Sequence, residues 1–265
     1  MGLVWIAIAL GIVEGVTEFV PVSSTGHLIL AGKWLAFPPE KAPAFEIFIQ
    51  LGAVLAVVWY YRTRLVTLAR DLGRDAAARA FVGKLAVAFA PAALVGVLLH
   101  QWIVAMLFAP LPVALGLAAG GVALLAIDRP GRATRDTTTL EAVGWGQALL
   151  IGVVQATALW PGVSRSGATI IGGLVAGLSR PVAVEFSFFL AIPTLGAASL
   201  FALWQGRDVL TPADAPVFAT GLLVSFAVSL AAIAGLLRYV RRHDLRPFGW
   251  YRLVLAALIV LVASG

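Results

Sequence analysis

The chain has 265 residues, of which 61% are hydrophobic and only 12% charged, with a formal net charge of +6 and a mean hydropathy of +0.97. Soluble domains are roughly half apolar and a quarter charged, and one core of this size cannot hide such an excess from water, so the composition describes an integral membrane protein. The absence of Cys excludes disulfides, thiol nucleophiles and Cys-ligated metals, and three His leave little for a multi-histidine centre. In so apolar a chain the positive charge reports membrane topology before it reports nucleic acid.

Taken in chain order, residues 2–37 form an apolar stretch interrupted by the polar cluster PVSSTGH. No basic residue precedes Lys33, so no cleavable signal peptide is expected. Apolar runs follow at about 44–61, 85–99 and 103–127. A second interrupted stretch, 141–178, carries PGVSRSG, and further runs lie at 184–204, 216–237 and 249–264. The six uninterrupted runs are each close to the ~20 residues that a spanning helix needs.

Between the runs, Arg62, Arg64, Arg70, Arg74, Arg79 and Lys84 fall in 62–84, Arg129, Arg132 and Arg135 in 128–136, and Arg238, Arg241, Arg242 and Arg246 in 238–246. Cytoplasmic loops retain Lys and Arg, which puts these three segments inside. The 100–102 connection, with no Lys or Arg, and the 205–215 connection, with Arg207 against Asp208 and Asp214, read as external. Alternation of the six spans then requires each interrupted stretch to enter the membrane and return to the side it came from.

The two interrupted stretches are related. Gly11 and Gly152, Val13 and Val154, Val22 and Val163, Ser23 and Ser164, Gly26 and Gly167, and Ile29 and Ile170 pair at a constant spacing of 141 residues. Glu14/Gln155 and Phe19/Trp160 are similar pairs, and FEIFIQLGA (45–53) and VEFSFFLAI (184–192) follow at nearly the same distance. Three spans per repeat is an odd number, so the second repeat is inverted. The expected fold is therefore a single all-α membrane domain over 1–265, with six transmembrane helices and two re-entrant helical hairpins, built from an inverted-topology repeat of about 1–127 and 141–265. Such repeats commonly place a shared site where their broken helices meet.

Glu14 and Glu18 are four apart on an otherwise apolar helix and share one face. Their repulsion in a low dielectric calls for a proton or a cation, and a hard divalent ion such as Mg²⁺ or Ca²⁺ takes oxygen ligands. Ser23, Ser24, Thr25, Gly26 and His27 place hydroxyls and an imidazole beside them, as acid/base or nucleophilic chemistry at phosphorus requires. His100 and His243, in or near loops, carry no such context. In the second tip Ser164, Ser166 and Thr169 surround Arg165, whose planar fork matches a phosphate. One tip supplies carboxylates and a nucleophile, the other an anion clamp. A phosphate or pyrophosphate on an apolar tail would bridge them.

The segments EGVTEFVPVSSTGHLIL (14–30) and PGVSRSGAT (161–169) resemble the two signatures of the bacterial undecaprenyl pyrophosphate phosphatase, or bacitracin resistance protein, family, and the resemblance extends over essentially the whole chain. It implies hydrolysis of undecaprenyl (C55 isoprenyl) pyrophosphate to the monophosphate carrier of cell-wall precursors, a divalent cation, a bacterial inner-membrane location and a site open to the periplasm. The family's glutamates fall on Glu14 and Glu18, its serine and histidine on Ser24 and His27, and its arginine and hydroxyls on Arg165, Ser164, Ser166 and Thr169. Phosphatidic acid-type lipid phosphatases are excluded, because the His and Asp their motif requires are replaced by Ile171 and Val175. A secondary transporter or flippase of the same architecture is the alternative. Ser24 is favoured over His27 as nucleophile, with direct attack by water left open.

Overall fold

The computed structural model describes residues 2–107, 109–129, 137–206 and 212–264. Arg132, Arg135, Arg207 and Asp208, used above to orient the chain, lie outside the described residues. The described chain is helical, with only an isolated bridge between Thr137 and Leu178. Its helices are α1 (Leu3–Thr17), α2 (Ser24–Trp34), α3 (Ala42–Tyr60), α4 (Arg62–Asp71), α5 (Ala76–Leu107), α6 (Pro110–Ile127), α7 (Trp145–Ala156), α8 (Arg165–Val175), α9 (Arg180–Gly206), α10 (Ala215–Tyr239) and α11 (Arg246–Ser264).

Five segments are long and apolar enough to cross a membrane by length and composition: Ala42–Tyr60, Ala76–Leu99, Pro110–Ile127, Arg180–Phe201 and Pro212–Tyr239. The sixth expected run is covered by α11, which carries Arg246 and Arg252. Two boundaries differ from the sequence reading. The connection expected at 100–102 is helical, because α5 runs 32 residues through it to Leu107; its polar side chains, His100 and Gln101, do not break a helix that neither Gly nor Pro interrupts there. Residues 62–84 are not a plain loop but contain α4, none of whose residues is buried.

The interrupted stretches fold as the hairpins α1–α2 and α7–α8. With 15, 11, 12 and 11 residues, their arms are about 16–22 Å long at 1.5 Å per residue, short of the ~30 Å hydrocarbon layer. Each hairpin also closes alike. After α2, Ala36 (φ 52) sits in the left-handed region; after α8, 141 residues later, Gly177 does (φ 89). The amides that follow return in the same pattern, Phe37 to Gly32 and Leu178 to Gly173, a double bond pattern that seals helix C-termini. α1 packs along α10, and α7 along α5; α3 lies between α9 and α10, and α6 packs on α11.

Ion pairs gather the basic segments at one end of the bundle. Arg64 at the start of α4 pairs with Glu141 before α7 and with Glu185 near the start of α9. Asp128, after α6, receives both Arg180 of α9 and the amide of Leu245 before α11. At the opposite end Lys41 meets Asp214 at 2.5 Å, joining the starts of α3 and α10.

Candidate active site

The first tip forms because α1 cannot continue. The Thr17 hydroxyl bonds back to the Val13 carbonyl at 2.6 Å, and Pro21, which offers no N–H, lies in the turn that follows. In the second tip Pro161 and Gly162 do the same work. Gly162 has φ +92, and a Cβ there would stand 2.1 Å from the Val113 carbonyl oxygen, so both backbone and space demand glycine. The residue before each returning helix, Ser23 (φ 73) and Ser164 (φ 71), is held in the left-handed region. Strain of that kind in a non-glycine residue collects at functional sites. Ser164 caps α8 by accepting the Gly167 amide at 3.1 Å, whereas the Ser23 hydroxyl makes no capping bond.

The two tips meet on Glu18. Its Oε2 accepts the Ser24 hydroxyl at 2.6 Å, and its Oε1 pairs with Arg165 Nη2 at 2.9 Å. Arg165 Nη1 donates to the carbonyl and hydroxyl of Ser187 on α9, at 3.1 and 3.3 Å. The Thr169 hydroxyl bonds Ser187 Oγ at 2.6 Å and the Arg165 carbonyl at 2.9 Å, which fixes the guanidinium from behind. Ser166 reaches across to the Val20 carbonyl at 3.3 Å. The N-termini of α2 and α8 point into the same space, and their free amides and dipoles favour an anion. A cavity of about 340 Å³ lies there, lined at its polar end by Glu18, Ser23, Ser24, Thr25, Ser164 and Arg165.

The remaining expected site residues do not line that cavity. Ser166 and Thr169 support it as described. His27 is turned away. Its Nδ1 lies 2.7 Å from the Ser23 carbonyl, which can only accept, so Nδ1 carries the proton and Nε2 accepts the Tyr251 hydroxyl at 2.6 Å. The two rings stack at 5.5 Å. The side chain in contact with the Ser24 hydroxyl is therefore the Glu18 carboxylate, and the His27 imidazole expected beside it stands one turn further along α2.

Glu14 sits behind Glu18, fully buried, with Oε1 lacking any hydrogen-bond partner. Among the described residues no group of three or more His, Asp or Glu side chains is placed to hold a metal ion. Two neighbouring carboxylates, one with an orphaned oxygen, nonetheless fit a Mg²⁺-type ion, which takes one or two protein carboxylates and completes its shell with water and substrate phosphate.

Sequence reasoning missed the residue that holds the tips in place. Arg252 of α11 is 0% exposed and has five backbone carbonyls in reach. Its Nε donates to Leu117, Nη1 to Pro21 in the first tip, and Nη2 to Gly116 and to Gly162 and Val163 in the second, at 2.7 to 3.3 Å. Gly120 makes room, since a Cβ there would come within 2.1 Å of Nη2. The available signal was an arginine inside the final apolar run, an intramembrane charge that is functional by default. Replacing Arg252 by Met is expected to lower stability by about 3 kcal/mol or more, because several buried acceptors lose their donor at once. Thermal unfolding in detergent should reveal this, together with loss of activity; an unchanged transition would contradict the assignment. Gln50 and Thr194, not singled out from the sequence, line the cavity together with Gln155, the repeat partner of Glu14, and Gln155 accepts the Thr194 hydroxyl at 3.2 Å.

Comparison with known proteins gives a consistent picture. The family model described as bacitracin resistance protein BacA matches residues 7–258. The chain is 49% identical over 257 residues to an undecaprenyl-diphosphatase of Nitrosomonas europaea, covering 97% of this chain and 93% of the relative. It is 51% identical over 259 residues to one from Sorangium cellulosum, covering 96% and 84%. It is 48% identical over 258 residues to undecaprenyl-diphosphatase 2 of Rhodospirillum rubrum, covering 97% and 94%.

Proposed function

The chain belongs to the bacitracin resistance protein BacA family, and on that footing we propose that it is an undecaprenyl-diphosphatase, converting undecaprenyl pyrophosphate to undecaprenyl phosphate and inorganic phosphate. The observation that carries this reading is Glu18, whose two oxygens hold a serine hydroxyl at 2.6 Å and an arginine at 2.9 Å. That is a nucleophile on its base beside an anion clamp. A transporter or flippase would need the clamp but not the hydroxyl on its carboxylate.

In the proposed reaction the Ser24 oxygen gives its proton to Glu18 and attacks the terminal phosphorus. The bond to the bridging oxygen breaks, and the lipid monophosphate leaves with that electron pair. The departing lipid monophosphate takes the proton from Glu18. Water then attacks the phosphoserine and gives its proton to the freed Glu18 carboxylate. The bond from phosphorus to the Ser24 oxygen breaks, and Glu18 returns that proton to Ser24 as phosphate is released. Arg165 turns its fork to the phosphoryl oxygens, and the helix N-termini of α2 and α8 stabilise the charge that develops there. Glu14 and Glu18 would hold the divalent cation, which supplies Lewis acidity at the phosphate.

The site is read as opening to the periplasmic side of the inner membrane. Toward the basic, cytoplasmic end the cavity walls close: the Phe81 ring of α5 meets Phe189 of α9 edge-on at 5.4 Å, with Arg64 over both. Toward the other end the lining continues up α5 to Ile103 and up α9 to Ala198. The inverted repeat is likewise proposed; the strained serines 141 residues apart and the matching hairpin ends support it.

Purified protein given undecaprenyl pyrophosphate should release phosphate, lose that activity to a chelator, and regain it with Mg²⁺ or Ca²⁺. With labelled substrate and an acid quench, label should remain on Ser24. Acid-labile, base-stable label that vanishes in His27→Ala would move the nucleophile to His27, and no phosphate release would defeat the reading.

A further inference from the structure

We propose that the seam between the outer parts of α5 and α9 is a lateral portal through which the isoprenoid chain of the substrate leaves the cavity for the bilayer. This rests on the reading of the substrate as a polyprenyl pyrophosphate.

The cavity has two chemical ends, as such a substrate does. Its polar end is formed by Glu18, Ser24 and Arg165. Away from them the lining turns apolar and small: Ala92, Gly96 and Ile103, spaced four and seven along one face of α5, oppose Leu195 and Ala198 of α9. At about 340 Å³ the volume is near the lower end of small-ligand pockets, room for a headgroup and the first tail units but not for a long chain. The rest of the tail must leave through a wall.

The walls differ in tightness. α5 packs closely along α7, which brings Gln155 to the cavity: a Cβ on Gly152 would stand 2.5 Å from the Ala88 carbonyl oxygen. α5 touches α9 far less, and the aromatic contact between them, Phe81 against Phe189, lies at the opposite end from Ile103 and Ala198. On the outer stretch a Cβ on Gly96 would meet only the Leu159 side chain, at 3.5 Å, and one on Gly196 nothing within 4 Å. Beside Gly96, Val97 and Leu98 are 80% and 71% exposed, an apolar surface that faces lipid. The helix pair is thus pinned at the cytoplasmic end and slack at the other, and the slack is continuous with the catalytic cavity.

Gly96→Leu and Ala198→Leu fill the seam without touching Glu18, Ser24 or Arg165. Each should lower kcat/KM for undecaprenyl pyrophosphate at least tenfold, while kcat/KM for dimethylallyl pyrophosphate, short enough to sit inside the cavity, changes less than twofold. Equal losses on both substrates, or no loss on either, would overturn the portal. Ala198 is exposed, so its variant guards against misfolding of the Gly96 one. A second measurement separates the portal from the activity: an undecaprenyl pyrophosphate with a photoreactive group midway along its chain, cross-linked to the parent protein, should label α5 and α9. Label on α2 and α3 instead would overturn the portal. Label on α5 and α9 in a protein that released no phosphate would sustain the portal and sink the phosphatase reading.

Discussion

Glu18→Gln is expected to lower kcat/KM by about 10³-fold, within the 10²–10⁴ that general acid–base catalysis contributes. The amide keeps the shape of the side chain and can still accept one hydrogen bond. It cannot take a proton from Ser24, and it carries no charge to set against Arg165, now 2.9 Å away from a neutral group. Because Arg252 and the Ser166 to Val20 bond still tie the tips together, the variant should fold, and its thermal transition is the control. Retention of more than a tenth of the parent kcat/KM would remove Glu18 from the reaction. Under the proposed metal set, the variant should also need more divalent ion for whatever activity remains.

Arg165→Lys preserves charge and loses geometry. The guanidinium spans Glu18 and Ser187 with separate nitrogens, and an ammonium is a single point on a flexible stem that cannot hold both and then present two parallel donors to a phosphate. The expected loss is about 1.5–3 kcal/mol, the scale of a hydrogen bond to a charged group, or roughly ten- to a hundredfold in kcat/KM. Steady-state kinetics at saturating cation check this. Parent-like kinetics would assign Arg165 to headgroup anchoring or to structure.

The sequence spoke most clearly where physics leaves few options. A long apolar run in lipid must be helical, so the runs are found in α3, α5, α6, α9, α10 and α11, five of which contain a segment long and apolar enough to cross a membrane. The expected run 103–127 begins as its own helix only at Pro110, because two polar residues at 100–101 do not stop α5. The tips were visible because Pro21, Pro161 and Gly162 interrupt apolar periodicity, and charged Glu18 and Arg165 in such places need each other. Less legible were the distances that decide roles. Nothing in the spacing of SSTGH says that Ser24 turns toward Glu18 while His27 turns toward Tyr251; that follows from α11 packing against the hairpin, a contact 224 residues away in sequence. Arg252 and Ser187 were hidden for a related reason. The partners of Arg252 are backbone carbonyls of other elements, which leave no motif, and Ser187 on α9 meets Arg165 and Thr169 only through packing that no spacing records.

The claim that the two hairpin tips form one catalytic unit is tested most directly by a double-mutant cycle on kcat/KM with Glu18→Gln, Arg165→Lys and both together. Residues that act as a unit are strongly non-additive. If Glu18 and Arg165 serve the same phosphoryl transfer, the double variant should be about as slow as Glu18→Gln alone, near 10³-fold below the parent by the acid–base scale above. Losses that multiply, to about 10⁴–10⁵-fold for independent sites, would mean that each tip acts separately, and the shared site would not stand.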